Sequence, residues 1–286
     1  MIGVMRYRMI GVDLDGTLLD KRGRISEANR RAVAAAVDAG VAVIPCTGRG
    51  WREAAELLTP LEQLDLGVFV TGASISEIAT GRSVDLSVIE PHLAHEIVAF
   101  LADGDEAVLV FRESQFAGHD YLVTGRGTLN AQTQWWFEHT GATVHFQEQV
   151  TVSDLHHTLR VGVVTEAADM PNIQATLEHR FGDRVLMHHF STIAPAETVH
   201  VLEIFAAGVD KWRGLSWIAQ QRGIERDEIA TIGDEINDLP MLAAAGCSVA
   251  MGNAIAPAKQ RARHVTRGND EDGVAHAIEH LLSGKW

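Results

Sequence analysis

Cysteine is scarce in this chain. Of 286 residues only Cys46 and Cys247 carry a thiol, in the apolar settings Val-Ile-Pro-Cys and Gly-Cys-Ser-Val. Two distant thiols make neither a disulfide framework nor a closely spaced metal-ligand pair, and a reducing cytoplasm is the expected setting. Positive charge is also short: 24 Lys plus Arg face 38 Asp plus Glu, a formal charge of −14. A net negative field disfavours nucleic-acid backbones and anionic membrane surfaces as partners. It leaves room for a small anionic substrate where a bound divalent cation reverses the local sign. No apolar run reaches the roughly 18 residues that suggest a membrane span. The stretch Met1 to Met9 has Arg6 and Arg8 but no long apolar segment with a cleavage site, so no secretory leader is expected. No Gly-x-Gly-x-x-Gly follows the first apolar run and no Gly-Lys-Ser/Thr loop occurs, which argues against a dinucleotide oxidoreductase and a P-loop kinase. Internal repeats and low-complexity tracts are absent as well. With 46% hydrophobic and 22% charged residues, the composition is that of a folded chain of one large or two ordinary domains.

What is present is an alternation of short apolar runs with helical patterns. Met9 to Val12 predicts a strand ending at Asp13, Ser26 a helix N-cap, and Gly40 the stop of that helix. Val41 to Pro45 and Leu66 to Val70 predict two more strands, with a helix over Trp51 to Leu58 between them. Nearly continuous apolar strands separated by helices imply an α/β fold, a Rossmann-like parallel sheet covered on both faces. The last third repeats the pattern, with strands over Val199–Ile204, Glu228–Ile232 and Cys247–Met251 and helices over Trp212–Arg222, Leu239–Ala245 and Val274–Leu282. Between these flanks, residues 83–197 read differently. They hold 10 of the 14 histidines and mix strands with helices, so an inserted α+β domain is expected, with 1–82 and 198–286 forming the core.

Four motifs stand at or just past strand ends, the edge of an open parallel sheet where ligands bind. Asp13-Leu14-Asp15-Gly16-Thr17 aims two carboxylates at one centre, which is costly unless a cation or proton is shared; it reads equally as an Asp-Gly turn with a cap. Thr47-Gly48-Arg49 offers a hydroxyl and free backbone N–H groups at a helix start, suited to a phosphate oxygen, or is a plain Thr cap. Lys211 opens a helix against the helix dipole, a placement an anionic ligand would relieve and an exposed lysine would also explain. In Gly233-Asp234-Glu235-Ile236-Asn237-Asp238 the two aspartates lie four apart, so one helical turn brings both to one side. Oxygen ligands of that kind suit Mg²⁺, although an acidic helix start is favourable by itself.

In this order, the motifs resemble those of the haloacid dehalogenase superfamily, specifically the Cof-type phosphatases with a large cap of the second class. The resemblance takes in Asp13 to Asp20, Thr47-Gly48-Arg49, Lys211, Gly233 to Asp238, Val249 to Ala254 and Asn269 to Val274. It departs at Thr71, where relatives usually place Asn, and at Trp212, where a glycine usually follows the lysine. The resemblance implies a magnesium-dependent phosphatase acting on small phosphorylated metabolites, sugar phosphates foremost, through an aspartyl-phosphate. Asp13 is then the nucleophile and Asp15 the acid and base. Thr47, Gly48, Lys211 and Asn237 contact the phosphoryl group. Mg²⁺ falls to Asp13, Asp15 through its carbonyl, and Asp234, with Asp238 orienting the shell. A phosphomutase using the same intermediate and a non-catalytic phosphate-binding module are the alternatives. In the insert, Trp135-Trp136-Phe137 reads as a local core or a stacking surface. The pairs His156-His157 and His188-His189, on or beside strands, face opposite ways and make poor chelates.

Overall fold

The computed structural model describes residues 6–165, 170–193 and 198–286. The chain divides into two compact units, Met1–Asp85 with Asp210–Trp286, and Leu86–Val209. The expected boundary at 197/198 adjoins residues outside the described set, and the segment from Thr198 to Val209 belongs to the second unit. No helix among the described residues is long and apolar enough to cross a membrane.

In the first unit, β1 (Met9–Val12) is buried along its whole length. The helix α1 (Glu27–Asp38) follows, its first turn capped by Ser26 Oγ, which accepts from Asn29 N at 3.1 Å. The residue after that helix's cap, Gly40, takes the left-handed conformation that a chain reversal needs. Then come β2 (Ala42–Pro45), α2 (Trp51–Leu58) and β3 (Leu66–Phe69). β3 meets the continuation of β2 through a single parallel bridge, Cys46 to Val68. It belongs instead to a three-stranded sheet with β4 (Ser74–Glu77) and β5 (Ser83–Leu86). Neither β4 nor β5 is legible as a strand, because alternate positions carry serines: Ser74, Ser76 and Ser83 bond one another through their hydroxyls, while Ile75 and Val84 pack on the core.

The second unit is α+β. Its elements are α3 (Pro91–Ala102), β6 (Val108–Arg112), α4 (Ser114–Ala117), β7 (Tyr121–Thr124), α5 (Ala131–His139), β8 (Val144–Phe146), β9 (Thr158–Thr165), α6 (Met170–Phe181), β10 (Val185–Ile193) and β11 (Thr198–Ala206). Six strands form one sheet in the order β10-β11-β9-β6-β7-β8. Leu93, Ile97 and Leu101 of α3 and Leu177 and Phe181 of α6 pack on alternate residues of its central strands, among them Val108, Val110, Val161, Val163, Leu202 and Ile204. The expected strand Val199–Ile204 is present within β11, but its expected place in the core is corrected. It pairs antiparallel with β9 and β10 in this sheet and not with the parallel sheet of the flanks. His188 and His189 lie on β10, whereas His156 and His157 precede β9, with His157 at a positive φ.

The chain returns to the first unit with α7 (Lys211–Gln221), β12 (Ile229–Gly233), α8 (Leu239–Ala244), β13 (Cys247–Ala250), α9 (Ala256–Arg261), β14 (His264–Val265) and α10 (Gly273–Leu282). The main sheet runs β14-β13-β12-β1-β2, parallel throughout. Successive residues of β1, β12 and β13 are all buried, so both faces of the sheet are covered. One face packs Met9, Ile44 and Ile229 against Leu215 and Ile218 of α7. Gly11 permits that approach, since a β-carbon there would stand 2.6 Å from Leu215 Cδ2. β1 has β2 on one side and β12 on the other, so strand order reverses there and opens a crevice at the carboxyl ends.

Candidate active site

Asp13 is the first residue past β1, and its N–H extends the ladder by donating to Ile232 O of β12 at 3.0 Å. Asp234 is the first residue past β12. Neighbouring parallel strands thus deliver the two aspartates to one sheet edge. Asp238 arrives by a short turn, Ile236–Asp238, before α8. Carboxylate oxygens of Asp13, Asp234 and Asp238 lie within 4.8 Å of one another, and among the described residues this is the group of side chains able to hold a metal ion.

Lys211, the first residue of α7, is fully buried among them. Its Nζ donates to Asp13 Oδ1 and Asp238 Oδ1 at 2.6 Å each and to Asn237 Oδ1 at 3.3 Å, which uses all three ammonium protons. The other oxygen of Asp238 accepts from the backbone N–H groups of Asp234 and Glu235, at 2.8 and 3.0 Å. Both Asp238 oxygens are thus engaged in orienting neighbours. Asp234 keeps its carboxylate in place through Thr17 Oγ1, which donates to Oδ1 at 2.9 Å, and Asn253 Nδ2, which donates to Oδ2 at 3.3 Å. Asn253 also donates to Gly16 O at 2.8 Å. Thr17 and Asn253 lie in the motifs Asp13 to Asp20 and Val249 to Ala254, yet nothing in their spacing assigns them this task. Gly16 is required twice over: its φ is +76°, and a β-carbon there would collide with Asp234 Oδ2.

The electrostatics are lopsided. Burial pushes the Asp13 carboxyl well above the ordinary range. Lys211 pulls it down, and Asp238, Asp234 and Asp15 push it further up. Burial likewise raises Asp234 to about 7, with Asp238 adding to the rise. Lys211 is held charged: burial opposes its charge, but the two carboxylates at 2.6 Å outweigh that penalty. Three buried carboxylates facing one ammonium leave an excess of negative charge. An all-oxygen donor set with that excess fits a hard divalent cation.

Asp15 lies outside the cluster. Its carboxylate, 54% exposed, takes two hydrogen bonds from Arg49, Nε and Nη2, at 2.7 Å each. That is the two-pronged geometry Arg favours. Sequence spacing gave no hint of the pairing, which spans 34 positions. Thr47 is buried, but it does not cap α2 as one reading expected. That helix begins four residues later and is capped by Gly50, whose N–H donates to Glu53 Oε2 at 2.7 Å. Thr47 Oγ1 instead accepts from Arg49 N at 3.1 Å, which shapes the Thr47-Gly48-Arg49 loop. A β-carbon on Gly48 would lie 3.5 Å from Thr71 Oγ1 and 3.7 Å from Asn237 Nδ2. The structure therefore gathers Asp13, Lys211, Asn237, Asp234 and Asp238 tightly, and sets Gly48 beside Asn237.

A profile of the haloacid dehalogenase-like hydrolases matches residues 10–278. One 5-amino-6-(5-phospho-D-ribitylamino)uracil phosphatase of Bacillus subtilis is 31% identical over 296 residues, covering 98% of this chain and 99% of its own. A second phosphatase of that name from the same organism is 31% identical over 294 residues, covering 96% and 97%. The crystal structure of a haloacid dehalogenase-like hydrolase from Bacteroides thetaiotaomicron superposes with a TM-score of 0.78 at 25% identity, over 96% of this chain and 99% of that one.

Proposed function

Because the chain belongs to the haloacid dehalogenase-like hydrolase family, as one of its phosphatases, we propose that it hydrolyses small phosphomonoesters at the Asp13 site with magnesium. The observation that carries this reading is the buried Lys211 ammonium held at 2.6 Å from both Asp13 and Asp238, with Asp234 alongside. An ammonium locked to the attacking carboxylate also neutralises the incoming phosphoryl oxygens.

Asp13, the main-chain carbonyl of Asp15 and Asp234 would hold Mg²⁺, which when bound would supply the positive charge that lets an anionic carboxylate approach an anionic phosphoryl group. Asp13 attacks phosphorus and forms an aspartyl-phosphate while the ester P–O bond breaks. Asp15, turned out of its pair with Arg49, gives its proton to the leaving oxygen. It then takes a proton from water, and that water releases inorganic phosphate and restores Asp13. Thr47, Gly48 and Asn237 line the phosphoryl group with Lys211. Asp238 orients Lys211 and the Asp234 backbone, a role its two engaged oxygens suit better than direct ligation.

The substrate carries its phosphate on a sugar-like chain. Two full-length relatives act on a phosphorylated ribityl compound, which supports this class. The test is phosphate release by the purified chain, with Mg²⁺, from a panel of pentose, hexose and polyol phosphates that includes the ribitylaminouracil ester. Turnover of one or more of these, lost in Asp13→Asn, is expected. Failure to release phosphate from any of them, or equal release by the variant, refutes the assignment.

A further inference from the structure

The loop after β3 is strained in an unusual way. Val70, Thr71 and Gly72 have successive φ values of +49°, +57° and +101°. Glycine adopts that region freely, but β-branched Val and Thr do so only when the surroundings force them. Here they do. Val70 N donates to Arg49 O and Thr71 N to Thr47 O, at 2.9 Å each, which ties the loop to the Thr47-Gly48-Arg49 segment. On its other side Gly72 lies against the start of α7: a β-carbon there would collide with Asp210 O, and Arg213 Nη1 donates to Gly72 O at 3.3 Å.

The strain holds Thr71 with its side chain fully buried, 0% exposed, and its Oγ1 without a hydrogen-bond partner among the described residues. A buried hydroxyl is normally paired, and leaving one unpaired is costly. Thr71 Oγ1 faces the bare side of Gly48, where Asn237 Nδ2 also lies; Asn237 Oδ1 is turned the other way, accepting from Lys211. Two neutral donors therefore converge on the space left by a missing β-carbon, beside the lysine of the reacting group.

We propose that Thr71 is a further substrate-contacting residue, its hydroxyl donating a hydrogen bond to a phosphoryl oxygen seated beside Gly48 and Asn237. The proposal rests on the phosphatase reading above. It accounts at once for the strained backbone and the orphaned hydroxyl.

The test compares Thr71→Val, which keeps the branched shape and loses the hydroxyl, with Thr71→Ser, which keeps the hydroxyl. Three quantities are read: KM and kcat for a phosphomonoester, the dissociation constant of inorganic phosphate by calorimetry with Mg²⁺, and the melting temperature without phosphate. Thr71→Val is expected to raise KM and the phosphate dissociation constant together by about 10- to 100-fold, the effect of losing a hydrogen bond to a charged group. Its melting temperature is expected to equal or exceed that of the parent, because the unpaired hydroxyl is gone. Thr71→Ser is expected to recover most of the phosphate affinity. Parental phosphate affinity in Thr71→Val overturns the proposal. So does equal loss in both variants, which shows that the hydroxyl is not what matters, or a lower melting temperature in Thr71→Val, which marks a structural hydroxyl. Phosphate binding needs no turnover, so a parent that binds phosphate through Thr71 yet hydrolyses no ester refutes the phosphatase reading and leaves this one standing.

Discussion

Replacing Lys211 with Met exposes how the buried charges of the site are balanced. The ammonium is fully buried, and it bridges two carboxylates whose side chains are 6% and 0% exposed. Methionine nearly preserves the stem and removes the charge. Asp13 and Asp238 are then left buried without their counter-ion. Breaking a buried pair from one side costs about 3–5 kcal/mol. At roughly 2–4 °C per kcal/mol for a unit of this size, the melting temperature in metal-free buffer falls by about 6–20 °C. The pH dependence has a definite sign. The folded Asp13 carboxyl sits well above its ordinary value because of burial, and losing Lys211 removes the main nearby charge that lowers it. A carboxyl raised in the folded state loses stability as pH climbs from the unfolded pKa through the folded one. The deficit of the variant therefore widens as pH rises through the parent's own folded Asp13 pKa, since below it the carboxyl is protonated in both folded proteins. Adding Asp238→Asn to Lys211→Met removes one of the uncompensated charges, so the double variant melts above the single one, and the cycle gives a coupling of the two sites. Differential scanning calorimetry without metal, at several pH values, measures all of this. A Lys211→Met protein within about 1 kcal/mol of the parent at pH 8 would refute the charge-balance argument.

Other consequences are more direct. Asp13→Asn keeps the shape of the side chain and removes the nucleophile, so phosphate release falls at least about 1,000-fold while circular dichroism and melting stay near those of the parent. Asp234 sits at about 7, raised first by burial, so a metal ion must displace a proton there below that pH. The rise in melting temperature on adding Mg²⁺ is accordingly larger at pH 8 than at pH 6, EDTA reverses it, and an equal rise at both pH values contradicts the assignment of Asp234 as a ligand. Gly16→Ala forces a β-carbon toward Asp234 Oδ2 at a backbone with φ of +76°. Its Mg²⁺ requirement is expected to shift upward by 10-fold or more, measured as the metal concentration for half-maximal phosphate release, and an unchanged value would show that the carboxylate moves aside at no cost.

Much of the catalytic edge was legible because burial on both faces leaves a plain signature. β1 and β12 are short unbroken apolar runs, and an aspartate directly after such a run must stand at the sheet edge. What the chain does not spell out locally is who pairs with whom. The stretch Thr198–Ala206 has the apolar content of a strand in either unit, and only its antiparallel register with β9 and β10 assigns it to the second. β4 and β5 give a weak strand signal because each sends only one apolar residue, Ile75 or Val84, into the core, while Ser74, Ser76 and Ser83 share the opposite face. The Asp15–Arg49 pair and the capture of Asp234 by Thr17 and Asn253 join residues far apart in sequence, so no spacing rule reaches them. Thr71 was visible as a departure, but that its hydroxyl is unpaired is a property of the folded loop alone.

The charge count of the site explains why its two halves are built from different groups. With Asp15 protonated for its role as the acid, Asp13, Asp234 and Asp238 face Lys211 and Arg49, so three carboxylates meet two positive side chains. A divalent cation more than closes that gap and leaves the set with a net positive charge. A phosphate dianion entering such a site meets no net repulsion, despite a chain whose formal charge is −14. On the Gly48 side, by contrast, the nearest side-chain groups are neutral: the Thr71 hydroxyl and the Asn237 amide. Had further lysines or arginines stood there, the product phosphate would be held by full charges in a buried setting, where such interactions are strong, and its departure would be slow. Neutral donors orient the oxygens by geometry and release them once the ester bond is gone. On this reasoning Asn237→Lys raises the affinity for inorganic phosphate while lowering kcat. A variant that binds phosphate more tightly yet turns over as fast as the parent would show that product release is governed elsewhere.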